Sequence, residues 1–440
     1  PREAALTRLA GTFLVGATGR LLPMSIPFRY FGAAVVFHLL AWLALLAGAD
    51  RFPRFSGGLG WPLAALHLVT LGVLTMTAIG ASLQLLPVAT RQAARSTRLP
   101  AAIWWLYAPG VAVLACGMGA GVPQAMAVGS VAVAVAMLAW AALLGANLRG
   151  ARGMPGVVLH GWASLGALLV MLAAALSLVA LYFGVLLLDR STALALHIAF
   201  AAYGFMGLLA FGLSYILVPM FALSAAPDER QAMVSCGLVV AALAAAALAA
   251  AGVAPQVLRI VALVLGGGAV ALHLRLMHGA LRSGMRRELG RSFTLVRVGW
   301  AALPASLAAA LAVALDVPLA GVRTLFGLVL IGGWLLSFLL GMLQRILPFL
   351  ASMHTARGGN RPPTPSALTA GRPLAIHFHC HLGALAVLLL AVLADSAVLA
   401  ALAAGIGAAG AAAYAVFFIV LWRRMRGYRM PPQARTPTAA

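Results

Sequence analysis

The feature that most constrains the fold is a triplet, Gly-x7-Gly-x6-Pro, which occurs three times in the chain and nowhere else. The copies are Gly72-Gly80-Pro87, Gly204-Gly212-Pro219 and Gly333-Gly341-Pro348. They lie 132 and 129 residues apart, whereas 47 glycines and 23 prolines in 440 residues predict only about 0.3 such triplets by chance. Each copy lies toward the C-terminal end of a long apolar stretch. The spacing therefore predicts three similar repeats.

Composition identifies the class of protein. The chain is 63% hydrophobic and 9% charged, with a mean hydropathy of +1.03. Apolar stretches of about 20 residues, long enough to cross a bilayer core of about 30 Å, recur throughout. We predict spans near 28–49, 59–87, 100–120, 124–147, 157–183, 192–222, 232–251, 256–280, 295–315, 319–349, 374–394 and 397–422.

These spans predict an all-α integral membrane protein with twelve transmembrane helices arranged as three pseudo-symmetric four-helix repeats. The repeat units are 28–148, 157–282 and 292–424, inside one transmembrane domain (1–440) that ends in a cytoplasmic tail (423–440). All 30 basic residues are arginines, and they concentrate on one side of the predicted bundle. By the positive-inside rule both termini are cytoplasmic, and we expect a multi-pass protein of the bacterial inner membrane. Topology thus accounts for the net charge of +22, and no nucleic-acid partner is expected.

Acidic residues argue against one function class. Only eight occur, and all fall in loops or at helix ends. Redox proton pumps and proton-coupled carriers need carboxylates within the membrane to relay protons. The sequence therefore argues against proton pumping.

Histidines inside the predicted spans are the first candidate ligands, because neutral imidazole binds haem iron and copper. His67 lies five residues before Gly72, and His197 lies seven residues before Gly204. Both fall in the predicted outer half of repeat-equivalent helices, where a cofactor held between helices would need them. His38, in the middle of the first span, is a further candidate. The alternative for each is an ordinary histidine bonded to a neighbouring carbonyl or hydroxyl.

A second group of candidate ligands begins the eleventh span, at His377-Phe378-His379-Cys380-His381. On a helix His377 and His381 share a face while His379 points elsewhere, whereas on an extended chain all three would align. Such ligands suit copper or another transition metal. The alternative is a polar histidine group at the membrane edge.

The pattern resembles the catalytic subunit of haem-copper oxidases and nitric oxide reductases. The shared features are twelve spans, threefold four-helix pseudosymmetry and a histidine in the outer half of the second helix. The stretch from His67 to Pro87 looks like their second helix, whose histidine binds the low-spin haem. It is even more similar to the divergent NnrS group linked to nitric oxide stress.

The departures from that superfamily are also visible. Its working enzymes carry a histidine pair on the seventh helix and two histidines on the tenth. Here the seventh span has none, and the tenth has Phe326 and Leu328 at the repeat positions of His197 and His67. An oxygen-reducing centre of the usual kind is therefore not expected. The resemblance implies that His67 binds haem, and candidate axial partners are His38, His197, Met76 and Met206.

The resulting expectation is a haem b protein of the oxidase fold, with copper as a second metal, for electron transfer or nitric oxide and small-gas handling. Arg323, together with Arg51 and Arg54 on the predicted outer side, would pair with haem propionates. Expected partners are the lipid bilayer and a cytochrome c-type or other respiratory subunit. The alternatives are a cofactor-free carrier, a copper-handling protein, or a structural subunit of a respiratory complex.

Overall fold

A computed structural model describes residues 22–92, 96–355 and 363–429. Residues 1–21, the two connections 93–95 and 356–362, and positions 430–440 of the predicted tail lie outside the described residues. The twelve predicted membrane helices are confirmed. They are α1 Ser25–Ala47, α2 Trp61–Val88, α3 Arg98–Ala120, α4 Pro123–Arg149, α5 Pro155–Phe183, α6 Arg190–Ala222, α7 Glu229–Ala250, α8 Pro255–Ser283, α9 Gly290–Ala314, α10 Val322–Thr355, α11 Gly371–Leu393 and α12 Ala397–Tyr428.

The largest differences from the predicted boundaries are at the C-terminal ends of α10 and α12. The tenth helix is described as far as Thr355, beyond the predicted end near 349, because Pro348 lies inside the helix and does not end it. The twelfth extends past its apolar stretch into arginines, and the guanidinium of Arg426 lies 5.0 Å from the centroid of the Trp422 ring. An aromatic contact of this kind supports a charged helical turn beyond the apolar stretch.

The helices form a ring of three units. Within each unit the third and fourth helices form a tightly packed pair, and the first packs on the second. The units join through α4 with α5, α8 with α9, and α12 with α1, which closes the ring. The second helix of each unit (α2, α6 and α10) lies at the centre, where α10 contacts both α2 and α6, and α2 contacts α6 through Thr75 and Met206.

Each central helix contains a wide π-helical segment, Leu68–Thr75 in α2, Phe200–Met206 in α6 and Leu328–Leu336 in α10. π turns leave backbone carbonyls without their usual partners, and hydroxyls donate to these carbonyls instead. Thr75 Oγ1 donates to the Thr70 oxygen at 2.8 Å and Ser337 Oγ to the Gly332 oxygen at 3.0 Å. In α6 the donor is Ser164 of α5, whose Oγ lies 2.9 Å from the Phe205 oxygen. The wide segments are therefore a property of the repeat.

The repeated glycines pack each central helix against the first helix of its own unit. A Cβ on Gly72 would lie 2.6 Å from Phe37 Cβ, and one on Gly212 would lie 2.8 Å from His160 Cβ. On Gly341 it would lie 2.5 Å from the Ser292 carbonyl oxygen. No side chain fits at these contacts, because the helices approach too closely. Glycine is thus required for helix packing, and this space is already filled by protein.

The three central helices enclose an apolar cavity of about 50 Å³ in their predicted inner half. Its lining comes from all three helices and includes Thr77, Ala81, Met206, Leu213, Phe338 and Met342.

Outside the bundle, Asp189 caps the start of α6 by accepting the Thr192 backbone N–H at 3.0 Å. Hydrogen bonds from the side chains of Ser191 and Thr192 lower the pKa of the Asp189 carboxyl.

Candidate cofactor and metal sites

His67 of α2 and His197 of α6 meet at the centre of the predicted outer half. Their ring centroids lie 6.2 Å apart and their planes differ by 13°. Both side chains are half-buried, as are most residues of α6 from Leu194 to Ala201, whereas the next turns of α6 are buried. The two imidazoles are therefore partly accessible, whereas the following turns of α6 are packed.

The hydrogen bonds of this pair fix which ring nitrogen carries the proton. His67 Nδ1 lies 3.0 Å from the Leu63 carbonyl oxygen, and His197 Nδ1 lies 3.5 Å from that of Met171. A carbonyl only accepts, so in the neutral imidazole each Nδ1 is the donor and each Nε2 keeps its lone pair. Histidines that bind metals are held in this way, with the second nitrogen bonded to a backbone carbonyl or carboxylate.

The separation of the rings matches coordination of one ion from opposite sides. With metal–nitrogen bonds of about 2.0–2.1 Å, two opposed imidazoles have ring centroids about 6.4 Å apart. The 6.2 Å between His67 and His197 lies close to that value. His67 and His197 would thus be suitably spaced to hold one haem iron between them.

The other residues expected to contact haem lie elsewhere in the fold. Met206 is further along α6, where its sulfur lies 4.0 Å from Thr75 Oγ1. Arg323 is exposed at the start of α10. Arg54 forms an ion pair with Asp395 in the connection between α11 and α12, so its charge is already compensated.

The eleventh-span histidines separate as helical geometry requires. α11 is helical from Gly371, so His377 and His381 share a buried face while His379 is exposed beside Phe378. Two residues from other helices complete the buried group. We call His38, His377, His381 and Tyr414 the α11 cluster.

The rings of the α11 cluster contact one another in a chain. The centroid of His377 lies 5.8 Å from those of both His38 and His381, and 4.8 Å from that of Tyr414. His38 and Tyr414 are 6.4 Å apart. All four side chains are at most 2% exposed. The cluster therefore lies between α1, α11 and α12, away from the His67–His197 pair.

Hydrogen bonds fix the proton positions of the two α11 histidines. His377 Nδ1 lies 3.2 Å from the Gly410 carbonyl oxygen, so it is the donor and Nε2 is the lone pair. Ser337 has one hydroxyl proton and gives it to the Gly332 oxygen. The contact of 2.8 Å between Ser337 Oγ and His381 Nε2 then requires Nε2 to be the donor, and Nδ1 is the lone pair.

In His38 the nitrogen without a hydrogen-bond partner in the described part of the chain carries the proton, whereas in His377 and His381 it carries the lone pair. Trp42 Nε1, which only donates, lies 3.2 Å from His38 Nε2, so the proton of the neutral ring is on Nδ1. Among the described residues, His38 Nδ1, His377 Nε2, His381 Nδ1 and Tyr414 Oη have no hydrogen-bond partner. The cluster thus contains two free acceptors, one free donor and a phenol.

A second group of buried rings lies between α5, α6 and α8. We call His160, Phe211, Tyr215 and His273 the α8 cluster. His273 Nδ1 lies 3.2 Å from Tyr215 Oη, and Phe211 stacks on the His273 ring at 3.8 Å. His160 Nδ1 donates to the Gly156 carbonyl oxygen at 2.7 Å, and His160 Nε2 is buried without a partner among the described residues.

The sequence did not predict the α11 cluster as a unit. It indicated His377 and His381, left the alignment of His379 with them open, and gave His38 as a candidate axial partner of His67. Tyr414 carried no signal at all. In the described ranges no three His, Cys, Asp or Glu side chains converge to hold a metal ion as they stand. Any ion there would rest on two histidines and on donors of another type.

Comparison with known proteins bears on the fold. No protein-family model and no curated protein matches the chain. Among solved structures, the chain is similar to a haem-copper terminal oxidase whose structure was determined as a dimer by electron cryomicroscopy. The TM-score is 0.53 at 12% sequence identity, over 95% of this chain and 86% of the oxidase chain. The predicted resemblance is therefore confirmed at the level of architecture: the chain has the fold of the haem-copper terminal oxidases.

Proposed function

We propose that the protein is a membrane electron-transfer protein that holds one haem b between His67 and His197. The observation that carries the proposal is the geometry of this pair. Two imidazoles on repeat-equivalent helices lie 6.2 Å apart with nearly parallel rings, and each presents an Nε2 lone pair. Bound haem supplies one-electron redox chemistry.

The protein's contribution is orientation. The carbonyls of Leu63 and Met171 hold the two Nδ1–H groups, so neither ring rotates freely. Arg323 at the start of α10 is the expected partner for a propionate, since Arg54 is already paired with Asp395 and Arg51 lies 3.8 Å from the Asp50 carboxylate. An electron donor on the predicted outer side, such as a cytochrome c-type subunit, would reach a cofactor at this depth.

Two histidine ligands favour electron transfer over gas chemistry at this haem. His67 and His197 would both hold the iron, which would leave a gas no free place on it. The apolar cavity of about 50 Å³ between the central helices is lined by side chains further inward than the pair. Handling of nitric oxide or another gas would therefore need a second centre.

The test is the visible spectrum of the purified full chain. Wild type is expected to show the Soret and alpha bands of a haem b protein in reduced-minus-oxidised spectra. The haem content of purified His67→Ala and of purified His197→Ala is expected to be at least about tenfold lower than that of wild type. Carbon monoxide is expected to leave the reduced spectrum of wild type unchanged, because His67 and His197 would both remain bound to the iron.

His160→Ala serves as the matched control. It removes a buried histidine of the α8 cluster whose Nε2 has no hydrogen-bond partner among the described residues. It is expected to retain the full haem content. A haem-free wild type would refute the proposal. So would haem bands that persist in both His67→Ala and His197→Ala, because another ligand set would then hold the iron.

A further inference from the structure

The α11 cluster combines two nitrogen lone pairs on neighbouring turns of one helix with a buried phenol. We propose that it binds one cuprous ion, with His377 Nε2 and His381 Nδ1 as its ligands and Tyr414 beside them. The inference uses no residue of the His67–His197 pair and does not depend on haem there.

The first argument is the number of unpartnered atoms. Buried polar atoms in folded proteins nearly always have a hydrogen-bond partner, either another protein atom or ordered water, and exceptions can mark a bound ion. The α11 cluster has four without one among the described residues, on side chains that are at most 2% exposed. These atoms belong to rings that contact one another, so a single ion bound among the rings would give several of these atoms a partner.

The second argument is the geometry of the two ligands. Their ring centroids lie 5.8 Å apart, within the limit of about 6.4 Å for two imidazoles on one ion. The remaining nitrogen of each ring is held, that of His377 by Gly410 and that of His381 by Ser337. Both rings are thus oriented as metal-binding histidines are, with the lone pair directed away from the anchoring bond.

The third argument is charge. The described acidic residues lie in loops or at helix ends, and none neighbours the α11 cluster. Desolvation of an ion scales with the square of its charge, so a divalent ion without a carboxylate is strongly disfavoured here. Zinc also prefers four ligands. A monovalent ion that accepts imidazole nitrogen fits best, and among the transition metals this is copper(I).

His38 has a different part in the cluster. Its free nitrogen carries a proton because Trp42 donates to the other one, so His38 is a donor and not a ligand. The ring of Tyr414, whose phenol oxygen can accept a hydrogen bond, contacts the ring of His38. The centroids of the two rings lie 6.4 Å apart. We therefore assign His38 as a positioning residue, whose replacement weakens copper binding less than replacement of either ligand.

The test is an anaerobic titration of the purified full chain with copper(I) against a chromogenic chelator of known affinity. Wild type is expected to bind one copper per chain in preference to zinc. His377→Gln and His381→Gln are expected to bind at least about tenfold more weakly, and His38→Gln to lose less. The titration is repeated in His67→Ala, so that copper on the outer pair is not counted.

His379→Gln and His160→Gln are the matched controls, one exposed on the same helix and one buried elsewhere, and both are expected to bind as wild type does. Loss of copper in His379→Gln, or full binding in both ligand variants, would overturn the assignment. Wild type that takes up no copper would overturn it too. Haem bands that disappear in His377→Gln would assign the cluster to haem instead.

An X-ray absorption spectrum of copper-loaded wild type keeps the assignment testable if the ligand variants do not fold. Scattering from two imidazoles is expected. Sulfur scattering would instead assign the ion to a cysteine such as Cys380, which neighbours the cluster in sequence, and would refute the proposed ligands.

Discussion

The α8 and α11 clusters contain the same kinds of side chain and differ in what their polar atoms contact. In the α8 cluster Tyr215 bonds to His273, and Phe211 covers the same ring at 3.8 Å. In the α11 cluster the corresponding phenol, Tyr414, has no partner among the described residues. Buried histidines and tyrosines are thus packing elements in one place and candidate ligands in the other.

The difference shows that residue type is a weak guide to a site within a membrane bundle. In the α8 cluster the two histidines lie on different helices: His160 Nε2 is buried without a partner among the described residues, and His273 Nδ1 contacts Tyr215. The α11 cluster leaves two lone pairs on adjacent turns of one helix. Proton positions, which follow from the neighbours of each ring, separate the two cases.

Copper is expected to produce the largest difference between the clusters. At a free copper(I) concentration of about 100 times the dissociation constant, binding to the native state stabilises it by about 2.7 kcal/mol. Wild type and His160→Gln should gain this stability and His377→Gln should not. Thermal unfolding in detergent, with and without copper, measures it. An equal gain in His377→Gln would remove the distinction between the clusters.

Ser337 gives the next largest effect. Ser337→Ala removes the acceptor of the His381 Nε2–H, so the ring loses its orientation and copper affinity should fall about tenfold. Ser164→Ala is the matched control, because its hydroxyl also donates to a π-segment carbonyl but contacts no histidine of the α11 cluster. Chelator competition compares the two variants, and equal losses would mean that the serine acts only on helix packing.

The two tyrosines give the smallest effect, in the absence of metal. Tyr215→Phe breaks the contact with His273 and should cost about 0.6 kcal/mol of unfolding free energy and no more than about 1.7 kcal/mol, the mean and the maximum for hydrogen bonds between membrane helices. Tyr414→Phe removes a hydroxyl without a partner and should cost nothing. Unfolding measured on the copper-free proteins tests this, and a larger cost at Tyr414 would show that its hydroxyl is already bonded.

The architecture could be predicted because it depends on local quantities. Apolar stretch length gives the number of spans, and the repeated glycines give the three units, since close helix approach requires glycine wherever it occurs. The association of His67 with His197 was also accessible, because the repeat places them on equivalent helices. Their role as haem ligands stays a prediction.

The α11 cluster was not accessible, because it depends on contacts between distant parts of the chain. His38 and His377 are 339 residues apart and meet only where the ring of units closes at α12 and α1. The sequence left His379 undecided, since its role depended on whether the segment was helical or extended. The helix settles its position by placing it on the exposed face.

The wide turns in the central helices have a consequence for how such chains are aligned. A π segment adds a residue to the turn, and one residue corresponds to about 100° of rotation along an α-helix. The stretch before the segment, with His67, is therefore out of phase with the stretch after it, with Gly80. A relative whose second helix lacks the extra residue would need its histidine one position away to face the same neighbour. Column-by-column comparison of these helices would thus pair a histidine that faces the centre with a packing residue and miss their correspondence.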